Sequence, residues 1–131
     1  MASIRIETAI AALPDKAWDA FRDVGAVHTR LARGFVTDCR MEEGARIVTF
    51  ANGFVAKELI VDIDDKNRRL AYSVIGSERL SHHNASFQVF AENGGSRIVW
   101  QADILPDSAG PTIRGMMEQG SVAMKKTLET T

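Results

Sequence analysis

Residues 97–129 read RIVWQADILPDSAGPTIRGMMEQGSVAMKKTLE, and a change of period inside this stretch decides the fold. Up to Ile104 the apolar residues alternate. Ile98, Trp100, Ala102 and Ile104 share one side, while Arg97, Gln101 and Asp103 take the other, which is the period of a half-buried strand. After Pro106-Asp107 the apolar positions are Ile113, Met116, Met117, Gly120, Met124 and Leu128, a stripe at helical spacing. Arg114, Glu118, Gln119, Ser121, Lys125 and Glu129 fall elsewhere around that helix. The pattern predicts a long amphipathic helix from about residue 108 to 129.

Working back from this stretch, strand-like alternation recurs at residues 35–41, 46–50, 54–62, 69–75 and 82–90. The connections contain Glu43-Gly44, Asn52-Gly53, Asp64-Asp65-Lys66-Asn67 and Asn93-Gly94-Gly95, compositions that suit tight hairpins. Near the N-terminus, Ile4, Ile6, Thr8 and Ile10 alternate with Arg5 and Glu7, a further half-buried strand. Pro14 suits a first helical turn; Ala17, Trp18, Phe21 and Val24 recur at helical spacing, and Gly25 is placed to stop that helix. Residues 26–32 offer a further helical turn or two. No long helical segment separates the later strands, so a parallel βαβ sheet is disfavoured. The expected class is α+β: a seven-stranded curved antiparallel sheet wrapped around a long C-terminal helix.

Composition narrows the function classes. At 131 residues and 45% hydrophobic, the chain fits one domain over residues 1–131 that can bury a core without disulfides or a structural metal. A formal net charge of -1 with interspersed signs gives no basic field for nucleic acid and no polybasic anchor for lipid. Cys39 stands alone, and the first ten residues lack the charged start and apolar core of a signal segment. A cytoplasmic protein without integral membrane association is expected. Whether it forms a homodimer stays open.

Two segments carry a family resemblance. Lys57-Glu58-Leu59-Ile60-Val61-Asp62-Ile63-Asp64-Asp65, running into Arg69-Leu70-Ala71-Tyr72-Ser73-Val74, resembles the central strands of the START-like, or SRPBCC, superfamily. Ser81-His82-His83-Asn84-Ala85-Ser86-Phe87-Gln88-Val89-Phe90, then Arg97-Ile98-Val99-Trp100 and Leu105-Pro106-Asp107, is similar to its polyketide cyclase/dehydrase and lipid-transport-like bacterial members. Pro14-Asp15-Lys16-Ala17-Trp18 resembles their opening helix. The resemblance implies the helix-grip fold and a deep cavity for a hydrophobic or aromatic small molecule. One scaffold in this superfamily serves carriers, receptors and enzymes, so the function is not implied so narrowly.

Several residues are candidates for the cavity. Met116, Met117 and Met124 beside Gly120 form either an adaptable wall or ordinary core, since flexible thioethers serve both. Tyr72 with Val74, and Trp100, share inward faces, where an aromatic body with a polar tip can orient a planar ligand. Parity with Ala85, Phe87 and Val89 places His83 inward and His82 outward, so these two histidines cannot chelate one ion together. His83 is then a polar group of the cavity or a hydrogen-bonded core histidine. His28 and Cys39 lack ligand spacing, and neither metal nor cofactor is expected.

Arg46 and Glu58 depend on the turn between their strands. A three-residue loop Ala51-Asn52-Gly53 sets Phe50 opposite Phe54, Val48 opposite Ala56 and Arg46 opposite Glu58, giving an ion pair inside or at the rim of the cavity. A two-residue Asn-Gly turn flips the parity. Glu58 also resembles a pocket-facing acid of the superfamily's plant hormone receptors, and residues 75–80 resemble their gating loop or are an ordinary hairpin. Two functions follow: a carrier or sensor of a hydrophobic ligand, or a cyclase/dehydratase-type enzyme with His83, Tyr72, Glu58 and Arg46 moving protons. No nucleophile elbow, P-loop or dinucleotide glycine motif is present.

Overall fold

A computed structural model describes residues 2–130. Seven strands, β1 (Ala2–Ile10), β2 (Val36–Glu42), β3 (Ala45–Phe50), β4 (Val55–Asp64), β5 (Arg69–Ile75), β6 (His82–Glu92) and β7 (Gly95–Leu105), form one antiparallel sheet in the order β1-β7-β6-β5-β4-β3-β2. Consecutive strands from β2 to β7 are hairpin neighbours, and β1 closes onto β7 with Ile6 opposite Trp100. Helix α1 (Pro14–Arg22) and helix α2 (Gly110–Glu129) complete the α+β helix-grip arrangement.

The elements follow from side-chain alternation and turn chemistry. Gly44, Gly53 and Gly94 take positive φ in the hairpin turns, a conformation that costs glycine little. Each strand then sends alternate residues inward. Leu70, Tyr72, Phe87, Val89, Ile98, Ala102 and Ile104 are all buried. Phe87 sits at the centre of an aromatic group, with ring centroids 4.9 Å from Phe21, 5.8 Å from Tyr72 and 4.6 Å from Trp100.

Three local features differ from the sequence reading. Helix α1 ends at Arg22, before Gly25, and the Val24 carbonyl is turned towards Arg46, whose Nη1 donates to it at 3.3 Å. The helical turn expected within residues 26–32 is present over Val27–Leu31 but is of π type, and a 3₁₀ turn over Asp107–Ala109 leads into α2. In α2 the buried set includes Ser121 and Thr127, which were not assigned to the stripe. The reason is that α2 is covered on two sides. One side meets the cavity, and the other leans on β1, where Lys125 Nζ donates to the Ala9 carbonyl and Ala11 N–H donates to Glu129. Thr127 accepts from the Arg33 N–H at 3.1 Å.

Candidate functional site: an apolar cavity with one ion pair

The concave sheet does not close on α2. A cavity of about 370 Å³ remains between β3, β4, β5, β6, β7, α2 and the π-helical turn, at the small end of the range that holds small-molecule ligands. The three-residue turn fixes its chemistry. Gly53 has φ +88°, Phe50 N–H donates to the Phe54 carbonyl at 2.8 Å, and the Asn52 side chain accepts from Phe54 N–H at 2.9 Å. The register that follows places Val48 opposite Ala56 and Arg46 opposite Glu58.

Arg46 and Glu58 therefore point inward, 2% and 7% exposed. Arg46 Nε donates to Glu58 Oε1 at 2.7 Å, and its guanidinium lies 5.4 Å from the centre of the Tyr72 ring. A buried charge needs such partners, because desolvation otherwise outweighs any local gain. The guanidinium is thus held by a carboxylate, a carbonyl and an aromatic face.

Two neutral polar groups stand beside it. Trp100 Nε1 donates to the Tyr72 hydroxyl at 3.1 Å, which leaves the hydroxyl its own proton to donate. Burial, with the Glu58 charge adding to it, pushes the Tyr72 phenol far above its usual range, so it stays protonated. His83 is buried, its ring centroid 6.1 Å from that of Tyr72, and its Nδ1 has no hydrogen-bond partner among the described residues. Burial holds its imidazole below the usual range, against the opposing pull of Glu58, so at neutral pH it is uncharged. The set can accept a hydrogen bond at Glu58, donate one from Tyr72 and do either at His83.

Of the residues singled out from sequence, Val48, Phe54, Ala56, Glu58, Tyr72 and Val74 border the cavity. So do Arg46, His83, Phe87 and Trp100 from the sheet, and Met116, Met117, Gly120 and Met124 from α2. Ala85 does not. It is buried on the inward face between Tyr72 and Ala102 and belongs to the packed core. A Cβ on Gly120 would lie 3.1 Å from Phe35 Cε2 and 3.1 Å from Trp100 Cζ3, so glycine here lets two rings press against the helix.

Sequence reasoning missed one wall. Val27, Leu31, Phe35, Val36 and Phe50 line the side formed by the π-helical turn and the start of β2. The available signal was the pair Phe35 and Phe50, whose rings meet edge to face at 5.3 Å across the β2–β3 hairpin. At the surface the cavity is bordered by Phe54, Ile113 and the β5–β6 loop at Ser77 and Leu80. The loop reaches the hairpin tip there, with the Arg79 guanidinium 5.6 Å from the Phe54 ring centre. Among the described residues there is no cluster of three or more potential metal ligands, and no helix is long and apolar enough to cross a membrane.

Comparison with known proteins supplies the family context. A family described as polyketide cyclase/dehydrase and lipid transport matches residues 1–129. No curated protein matches the sequence. Among solved structures, the protein XoxI from Bacillus cereus is 17% identical over 98% of this chain and 96% of its own, with a TM-score of 0.86. Ara h 8.0201 is 16% identical over 99% of both chains, with a TM-score of 0.75. A norcoclaurine synthase point mutant from Thalictrum flavum, in complex with a transition-state analogue, is 18% identical over 97% of this chain and 93% of its own, with a TM-score of 0.69. At these identities the likeness shows a shared fold.

Proposed function

The chain belongs to the polyketide cyclase/dehydrase and lipid transport family, and from that premise we propose that it binds one hydrophobic or aromatic small molecule in its internal cavity, as a carrier or sensor. The ligand class is a lipid, polyketide-like or isoprenoid metabolite. The observation that carries this reading is the cavity itself: about 370 Å³ of space walled mainly by apolar side chains, with its few polar groups gathered around Arg46 and Glu58. Protein interiors are ordinarily packed to the density of organic crystals, so a void of this size in so small a chain is a feature of use and not of stability. The flexible methionines of α2 let one wall adapt to its occupant.

Native mass spectrometry of gently purified protein tests the reading. A retained adduct of small-molecule mass is expected in the parent. Gly120→Leu should lose it, because its side chain must push the Phe35 and Trp100 rings into the void. An adduct undiminished in that variant would refute the assignment of the cavity as its seat.

A second reading rests on His83. A buried, neutral imidazole with an unpartnered Nδ1, next to a protonated phenol, suits general acid/base work on a polyketide-like substrate, as in a cyclase or dehydratase. A synthase shares the fold. In that case His83→Ala should lower turnover by roughly a hundredfold or more while binding changes less. Turnover unchanged in the variant would assign the chemistry elsewhere.

A further inference from the structure

We propose that the cavity selects ligands whose polar end is uncharged, a phenol, alcohol or ketone on an aromatic or alicyclic body, and rejects carboxylates, with the Arg46–Glu58 pair as the selecting device. This rests on the reading that the cavity binds a small apolar molecule. An arginine in an apolar pocket ordinarily suggests an anion site, because its guanidinium forks onto carboxylates. Here the charge of the arginine is already paired. Its Nε is on Glu58 Oε1 at 2.7 Å, its Nη1 is on the Val24 carbonyl, and its charge lies against the Tyr72 ring.

The remaining ionisable groups of the wall supply no second cation. Tyr72 is protonated and His83 is neutral. Lys57 borders the cavity through its strand, but its ammonium lies outside, 3.2 Å from Glu42, and its side chain is 46% exposed. A carboxylate entering beside Glu58 would place two negative charges against one positive charge in a desolvated site, and like charges sharing such a site drive one of them to neutralise or leave. A hydroxyl or carbonyl meets no such cost. The second oxygen of the Glu58 carboxylate can accept its proton, and the Tyr72 hydroxyl can donate to its oxygen.

The test uses three probes with one two-ring body: naphthalene, 2-naphthol and 2-naphthoate. Binding is measured by titration calorimetry at neutral pH, where the naphthol is uncharged and the naphthoate ionised. The parent should bind 2-naphthol at least about tenfold more tightly than 2-naphthoate. Glu58→Gln keeps the side-chain shape and releases the guanidinium, so the order should invert. In Arg46→Met/Glu58→Gln, which has neither charge, the gain for naphthoate should vanish.

A parent that binds naphthoate as tightly as naphthol overturns the proposal, and so does a naphthoate gain that persists without Arg46. If circular dichroism shows Glu58→Gln unfolded, the parent's preference and the double variant decide. Naphthalene separates the two levels of the reading. If it binds while the head-group preference is absent, the selection fails and the cavity reading stands. If no probe binds, both fall.

Discussion

Replacing His83 with Phe should change how stability depends on pH. His83 is 7% exposed, and burial holds its imidazole below the usual range, with Glu58 opposing. In the unfolded chain a histidine titrates near pH 6.5, as a rough reference. A folded pKa below the unfolded one means that the unfolded state takes up the proton first as pH falls. The native state therefore keeps its full stability above about pH 6.5 and loses it progressively towards the folded pKa. While the folded imidazole stays neutral, the loss between pH 6.5 and 5.5 works out at about 1 kcal/mol. The carboxylates whose pKa values are lowered by hydrogen-bonded partners, Glu7, Glu42, Asp64, Asp65 and Glu129, act in a separate window. Their contribution is lost only as pH falls below their unfolded values of roughly 4. Urea unfolding of parent and His83→Phe at about pH 7.5, 6.5 and 5.5 gives the comparison. The parent curve should fall more than the variant's over the last step, by at most about 1 kcal/mol. Parallel curves would refute the placement of a neutral, desolvated imidazole in the wall.

Two further outcomes follow from close contacts. A Cβ at Gly95 would lie 2.6 Å from the Ile10 carbonyl oxygen, a backbone atom held in the β1–β7 ladder, so Gly95→Ala should cost about 1–3 kcal/mol in urea unfolding. A change below about 0.5 kcal/mol would show that the ladder yields there. Tyr72→Phe removes the acceptor of the Trp100 indole N–H, for an expected loss of about 1–3 kcal/mol. It should also weaken 2-naphthol while leaving naphthalene unchanged in calorimetry, and equal weakening of both would reduce Tyr72 to a packing residue.

How legible the molecule is in its sequence depends on how local the deciding interaction is. Strand parity is local: alternation alone places Tyr72, Phe87 and Trp100 inward, and all three line the cavity. The β3–β4 parity is not readable from alternation, because Arg46 and Glu58 break the apolar pattern of their strands. It is settled by the turn, where the Asn52 side chain and the positive φ of Gly53 hold a three-residue loop. Ala85 shows the limit of facing as a criterion, since a residue can point inward and belong to the packed core without bordering the void. The π-helical turn and the Ser121 and Thr127 burial depend on what packs against them, which a period does not record. Function is legible only through the assembled cavity, because its polar groups come from β3, β4, β5, β6 and β7 and no contiguous motif contains them.

The two tryptophans occupy unlike places, and this gives the protein a built-in optical gauge. Trp18 is a buried residue of α1, 5% exposed, its indole donating to Asp65 at 2.9 Å, and it does not border the cavity. Trp100 forms part of the cavity wall, stacked on Phe87 and tied to Tyr72. An occupant that touches Trp100 alters the quenching and wavelength of one emitter, while the other reports only whether α1 remains docked. Trp18→Phe therefore leaves a signal that follows filling of the cavity, and Trp100→Phe leaves one that follows the fold, so occupancy and integrity can be read separately from the two single-tryptophan variants.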